Sequence, residues 1–245
     1  MEVLGVIPAR LSSQRLPGKL LRKVLGKTIL EWTWSQAKKA KNLEDLIIAV
    51  DCEELKKEAE NFGAKVVLTS PEHSSGTERI CEAVSSIDTR IVVNIQADEP
   101  LIHPSVIDSL VETMLSDEEL TMATPIKEIE DEEELADSNI VKVVIDKDNF
   151  ALYFSRTVIP FLRDRDSKPT YFKHLGIYAY TKDFLYVFKN LPPSSLEKAE
   201  KLEQLRVLEA GFKIKTVITN FDSYGVDTEE DLEKVERVLI EKGYA

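Results

Sequence analysis

At 245 residues, 43% apolar and 31% charged, the chain has enough material to bury the core of one large domain, and no apolar run approaches the roughly 20 residues of a membrane span. A formal net charge of −12 excludes the basic footprint of a general nucleic-acid binder, and two cysteines, Cys52 and Cys81, are too few for a disulfide framework or a thiolate metal cluster. The opening residues lack a basic n-region, so the expectation is a chain without a secretory signal, at work in a reducing cytoplasm. The charge is uneven. Residues 1–27 hold six cations (Arg10, Arg15, Lys19, Arg22, Lys23, Lys27) and one acid, Glu2, whereas residues 112–137 hold eleven acids and one cation, Lys127. The acidic stretch reads as a solvated face, and the basic end as a local anion site.

In chain order, Val3–Ile7 is a short apolar run ended by Pro8, followed by a long polar loop. Thr28 and Glu31 have the spacing of a capping box, so a helix is expected from there to about Ala40. Leu46–Val50 reads as a second strand, Asp51 as the cap of a helix that Gly63 ends, and Lys65–Leu68 as a third strand. Thr77–Ser86 is expected to be helical, Arg90–Gln96 a fourth strand, and Pro104 the first turn of a helix reaching about Leu115. Val141–Ile145 and Ala151–Ser155 flank a polar turn as a hairpin, and His174–Tyr180 reads as another strand. Ser194–Ala210 predicts one helix stopped by Gly211, Lys213–Thr219 a strand, and Thr228–Lys242 a closing helix.

Short apolar strands alternating with helices imply an α/β domain, a mostly parallel sheet with helices on both faces. The hairpin region, about 140–182, is expected to form a small antiparallel lobe that closes the site or pairs with a second subunit. Ligands of such sheets sit beyond the carboxyl ends of the strands, which groups loops 8–19, 69–77 and 96–100.

The richest of these loops is Ile7-Pro8-Ala9-Arg10-Leu11-Ser12-Ser13-Gln14-Arg15-Leu16-Pro17-Gly18-Lys19. It is neither a P-loop nor a G-x-G-x-x-G fingerprint. Arg10 and Lys19 suit triphosphate oxygens, the first through forked hydrogen bonds and the second as a point charge. Ser74, Ser75 and Gly76 form a second small-residue loop that permits close approach to a base or ribose. Asp98 follows a strand and has the chemistry of a magnesium ligand, or of a plain turn residue before Pro100. Asp227 stands where either it or Thr228 would cap the last helix.

The first-loop string, P-A-R-x-x-S-x-R-L-P-G-K, resembles the opening motif of the 3-deoxy-manno-octulosonate (Kdo) cytidylyltransferases. The resemblance continues in order through His73–Arg79, Asn94–Pro100, His174–Tyr178, Leu202–Arg206 and Gly225–Thr228, nearly the whole chain. Ala97 replaces a usual Gly, Glu78 a usual Asp, and Leu20 a common Pro.

The resemblance implies a Rossmann-like nucleotidyltransferase fold, one domain over 1–245. It implies attack of the Kdo anomeric hydroxyl on the α-phosphorus of CTP, with pyrophosphate leaving. It assigns Ala9, Arg10, Ser12, Ser13, Lys19, Ser74, Ser75, Gly76 and Arg79 to CTP, and Gln96, Arg156, His174, Tyr178, Glu203 and Gln204 to the sugar. Asp98 and Asp227 become ligands of Mg2+, and Lys19, Arg10, Asp98 and Asp227 the catalytic set. It also implies a homodimer. Three alternatives remain open: a cytidylyltransferase for another acidic sugar such as a sialic acid, a glycosyltransferase on a similar fold, and a nucleotide-binding regulator without turnover. Asp98-Glu99-Pro100 lacks the D-x-D spacing that the glycosyltransferase reading requires.

Overall fold

The computed structural model describes residues 1–13, 15–164 and 169–244, so Gln14 of the first loop and residues 165–168 of the hairpin region lie outside it. The elements run β1 (Val3–Ala9), a 3-10 turn (Lys19–Leu21), β2 (Lys23–Val24), β3 (Lys27–Thr28), α1 (Ile29–Ala37), β4 (Asp45–Val50), α2 (Glu53–Asn61), β5 (Lys65–Leu68), α3 (Gly76–Ala83), β6 (Ile91–Asn94) and α4 (Pro104–Ser116). They continue as β7 (Met122–Glu128), α5 (Glu132–Ala136), β8 (Lys142–Ile145), β9 (Ala151–Ser155), β10 (Phe172–His174), β11 (Tyr178–Thr181), α6 (Lys182–Asn190), α7 (Ser195–Glu200), α8 (Leu205–Glu209), β12 (Lys215–Ile218) and α9 (Glu229–Glu241).

Among the described residues, ten strands form one mixed sheet, and β2 and β3 pair separately. β5, β4, β1 and β6 lie side by side and parallel, as the alternating pattern requires. β1 shows why the sheet is covered twice. Val3 and Ile7 face one buried cluster with α1, α2, α4 and α9, while Leu4 and Val6 face the other with α3, α6 and α8. Each fully buried Leu, Ile or Val side chain contributes roughly 1.5–3 kcal/mol, so both layers are needed to hold a sheet of this width. β1 continues through Pro8, whose neighbour Ala9 still pairs with Val50, so the strand carries the first loop two residues further than expected.

Beyond β6 the sheet turns antiparallel through β11, β7, β10, β8 and β9, with β12 parallel to β7. The expected strand over His174–Tyr180 is broken. His174 pairs with Ile126 and Ala179 with Ala123, so five residue steps oppose three, and two extra residues bulge out at Leu175–Ile177. The 140–155 hairpin continues the main sheet through β10, as its antiparallel end.

The expected helix over Ser194–Ala210 divides in two, because Lys201 takes the left-handed conformation (φ 57°) after the capping box of Ser194 and Glu197. Asp51 does not cap α2. Cys52 holds that position without a side-chain bond, and Asp51 is engaged elsewhere.

Candidate active site

The loops after β1, β5 and β6 meet in a cleft of about 780 Å3 at the carboxyl ends of the parallel strands, where open α/β sheets place ligands. The first loop is pinned rather than loose. The Leu11 amide donates to both Asp51 carboxylate oxygens at 3.1 and 3.2 Å, and Leu16 and Leu20 are buried. Gly18 takes φ +64°, which glycine adopts freely, and so turns the chain into the 3-10 turn that begins with Lys19. Arg10, Ser12, Ser13 and Lys19 line the cleft, whereas Ala9 is buried at the end of β1.

The second loop is set by the start of α3. Ser75 is the N-cap and accepts from the Glu78 amide at 3.2 Å. Ser74, Ser75 and Gly76 face the cleft, and Gly76 lies against the Pro8 ring, which joins the two loops. Arg79 borders the cleft but is buried, and its guanidinium donates to the Thr69 hydroxyl at 2.6 Å and the Ser70 carbonyl at 3.2 Å. Burial draws its pKa down against the opposing charge of Asp51. Its hydrogen bonds brace the backbone under this loop.

At the cleft floor stands the Lys19 ammonium. It donates to Asp98 Oδ2 at 2.5 Å, Asp227 Oδ1 at 2.9 Å and the Val226 carbonyl at 3.0 Å. Burial alone would lower its pKa, but the Asp98 charge, together with hydrogen bonds to Asp98 and Asp227, holds it above the ordinary lysine value. Arg15 reaches the other oxygen of Asp227 at 2.6 Å. The choice between Asp227 and Thr228 as helix cap is resolved here. Thr228 caps α9 in a reciprocal box with Asp231, which leaves the Asp227 carboxylate to face Asp98 across Lys19.

Of the residues assigned to the sugar, Gln96 lines the cleft and donates to the Gly176 carbonyl at 3.0 Å, a contact made possible by the β10–β11 bulge. His174 borders a second hollow of about 600 Å3 that shares Arg15 and Asp227 with the first. Its Nε2 lies 2.9 Å from the Thr124 hydroxyl and its ring packs on Phe154 and Tyr178, and burial pushes its pKa down to about 3.

Burial and the nearby Glu203 charge raise the Tyr178 phenol. Glu203 accepts from the Thr77 hydroxyl at 3.0 Å, on the first turn of α3, and burial raises its pKa against that bond. Gln204 is buried, with Nε2 unpaired among the described residues. Arg156 donates to the carbonyls of Glu200 at 2.7 Å and Ser138 at 3.1 Å.

Four working residues escaped sequence reasoning as site parts: Arg15 on Asp227, Asp51 under the first loop, Thr77 on Glu203, and Glu99, buried and bonded to Ser223. Arg15, Thr77 and Glu99 had a signal, since each lies inside a string that carries the family resemblance.

A cytidylyltransferase family model matches residues 4–215. The chain belongs to the cytidylyltransferase family. A 3-deoxy-manno-octulosonate cytidylyltransferase of Chloroherpeton thalassium is 49% identical over 99% of this chain and 99% of its own. An 8-amino-3,8-dideoxy-manno-octulosonate cytidylyltransferase of Shewanella baltica is 46% identical over 98% and 99%. The structure of a CMP:2-keto-3-deoxy-manno-octonic acid synthetase complexed with CTP superposes with a TM-score of 0.94 at 37% identity, over 99% of this chain and all of the other.

Against that family pattern, this cytidylyltransferase accommodates its departures locally. Ala97 is buried and its carbonyl accepts from the Thr33 hydroxyl at 2.9 Å. Glu78 reaches back to the Ser74 amide at 2.7 Å and hydroxyl at 3.0 Å, and the amide bond chiefly lowers its pKa. Leu20 is buried under the first loop.

Proposed function

We propose that this cytidylyltransferase joins CMP, taken from CTP, to the anomeric hydroxyl of Kdo. The bond formed is between the anomeric oxygen and the α-phosphorus. The bonds broken are the hydroxyl's own O–H, whose proton passes to solvent, and that between the phosphorus and the oxygen bridging to the β-phosphate, and pyrophosphate leaves with that electron pair. The observation that carries the reading is the Lys19–Asp98–Asp227 cluster, set at the floor of a cleft rimmed by Arg10, Arg15 and the serines of two loops. Such transfer depends on positioning and charge stabilisation more than on a covalent nucleophile.

Asp98 and Asp227 fit a magnesium site, because a cationic nitrogen already sits within 2.9 Å of one oxygen of each. Two carboxylates with water and phosphate oxygens is the donor set magnesium prefers. When bound, the ion supplies charge neutralisation to the phosphate oxygens. Arg10 holds the triphosphate, Ser75 and Gly76 approach the base or ribose, and Gln96, Tyr178 and Glu203 sort the sugar hydroxyls. His174 is a neutral ring at working pH and takes no part as a proton donor.

We further infer that the product feeds lipopolysaccharide assembly, that the enzyme works in the cytoplasm and that it pairs as a homodimer. Exposed Leu152, Val158, Phe161 and Leu162 on and beyond edge strand β9 support a paired state. Two unpaired cysteines and the lack of a membrane-length apolar helix among the described residues are in keeping with the cytoplasmic reading.

The test is pyrophosphate release from CTP with Kdo, its 8-amino analogue and sialic acid in parallel. Turnover with sialic acid but not with Kdo refutes the substrate assignment. CTP binding without turnover on any of the three points to the regulator.

A further inference from the structure

An ammonium has three hydrogens to donate, and those of Lys19 meet three acceptors: Asp98 Oδ2, Asp227 Oδ1 and the Val226 carbonyl. In this state it has no donor left for a phosphate. The two carboxylates come from the β6 loop and from the loop before α9, and without a cation between them they repel. The root of Lys19 is fixed, because Gly18 turns the chain and Leu20 is buried beside it. Only its flexible stem has to move for the ammonium to change partners.

We propose that Lys19 is a displaceable counter-ion. In the nucleotide-free protein it keeps Asp98 and Asp227 together and closes the pair to free divalent ions. The incoming triphosphate draws the ammonium onto itself and vacates the carboxylates, so the divalent ion is admitted together with the nucleotide. This rests on the two-aspartate reading of the metal site. It adds an order of events: a cation is always present between the two carboxylates, first nitrogen and then metal. Arg15 does not substitute for Lys19, because it reaches only Asp227, from the exposed side.

Mn2+ as the chloride is the probe, titrated without nucleotide and followed by the loss of its free-ion electron paramagnetic resonance signal. Thermal melting in EDTA and in Mn2+ runs alongside. Lys19→Met is expected to bind Mn2+ roughly tenfold or more tighter than the parent. It should melt lower than the parent in EDTA and recover when Mn2+ is added, while the nucleotide-free parent barely responds to the ion. Lys19→Arg, which keeps the charge, should stay closed to the ion.

Tight Mn2+ binding by the nucleotide-free parent overturns the proposal whether or not Lys19→Met folds. So does a Lys19→Met protein that folds and binds Mn2+ no better than the parent. Asp98→Asn and Asp227→Asn separate the underlying reading. If Mn2+ tightens nucleotide binding as much in both variants as in the parent, the two-aspartate metal site is wrong, and the proposal falls with it.

Discussion

The neutral, largely enclosed His174 makes acid sensitivity a measurable consequence of the site's architecture. The Thr124 hydroxyl lies 2.8 Å from the Ile177 carbonyl, and its single hydrogen is engaged there, so it accepts from His174 Nε2. A second proton would have to enter on Nδ1, in a ring wedged between Phe154 and Tyr178. Burial holds the folded pKa at about 3, against 6.5 for the free side chain. Above pH 6.5 both states carry a neutral ring and the full stability is present. As the pH falls from 6.5 towards 3, the unfolded chain binds a proton that the folded chain refuses, and stability is lost. The shift corresponds to a ceiling of about 5 kcal/mol over the whole window, of which about 2 kcal/mol is gone by pH 5. The ring edge borders the second hollow, and solvent screening brings the pH 5 figure down towards about 1 kcal/mol. Urea unfolding of the parent and of His174→Gln at pH 7 and pH 5 reads this directly. The variant is less stable at pH 7 through lost packing, but it should lose about 1 kcal/mol less than the parent between the two pH values. An equal loss in both proteins refutes the reasoning.

Asp227→Asn and Asp98→Asn should abolish pyrophosphate release while leaving the melting temperature near normal. Thr228→Ala should do the reverse, costing about 1 kcal/mol of stability through the lost cap while turnover persists. Arg10→Ala should raise the KM for CTP roughly thirtyfold, the equivalent of about 2 kcal/mol of charge-assisted hydrogen bonding, and change the KM for Kdo far less; the opposite order refutes the first-loop assignment. Glu99→Ala should lower kcat more than it raises either KM, because Glu99 holds Ser223 and through it the loop bearing Asp227. Glu99→Gln should restore most of that loss, and failure of the rescue argues against a positioning role.

The parallel half of the fold was legible because each strand is a short apolar run and the helices α1 and α3 start at side-chain caps, Thr28 and Ser75. The antiparallel half hid its strands for physical reasons. Met122–Glu128 contains Thr124, Pro125, Lys127 and Glu128 and drew no strand assignment, yet it is the strand on which β10, β11 and β12 all pair. Its Pro125 gives up an amide hydrogen, and its charged end is compensated by Lys127 on Asp222 at 2.8 Å. The bulge at Leu175–Ile177 leaves no periodic trace either, because the apolar alternation resumes in phase after two extra residues. Helix α6, Lys182–Asn190, is rich in aromatics and charge and went unassigned, although Thr181 caps it through the Phe184 amide.

The site divides along the same line. Loops 8–19, 69–77 and 96–100 follow from strand ends, but nothing local joins Asp98 to a residue 129 positions later. What joins them is a chain of contacts along the segment before α9. Asp222 is gripped by Lys127 and by Lys173 at 2.7 Å, and Ser223 by the buried Glu99. The Val226 amide donates to the Asp98 carbonyl at 2.9 Å, and Asp231 accepts from the Asp227 and Thr228 amides at 3.0 and 2.9 Å. The backbone bond from Val226 to Asp98 involves no atom of Lys19. The proposed exchange of ammonium for metal therefore leaves the two loops joined by a backbone contact, while the charge between the carboxylates is what Lys19 supplies.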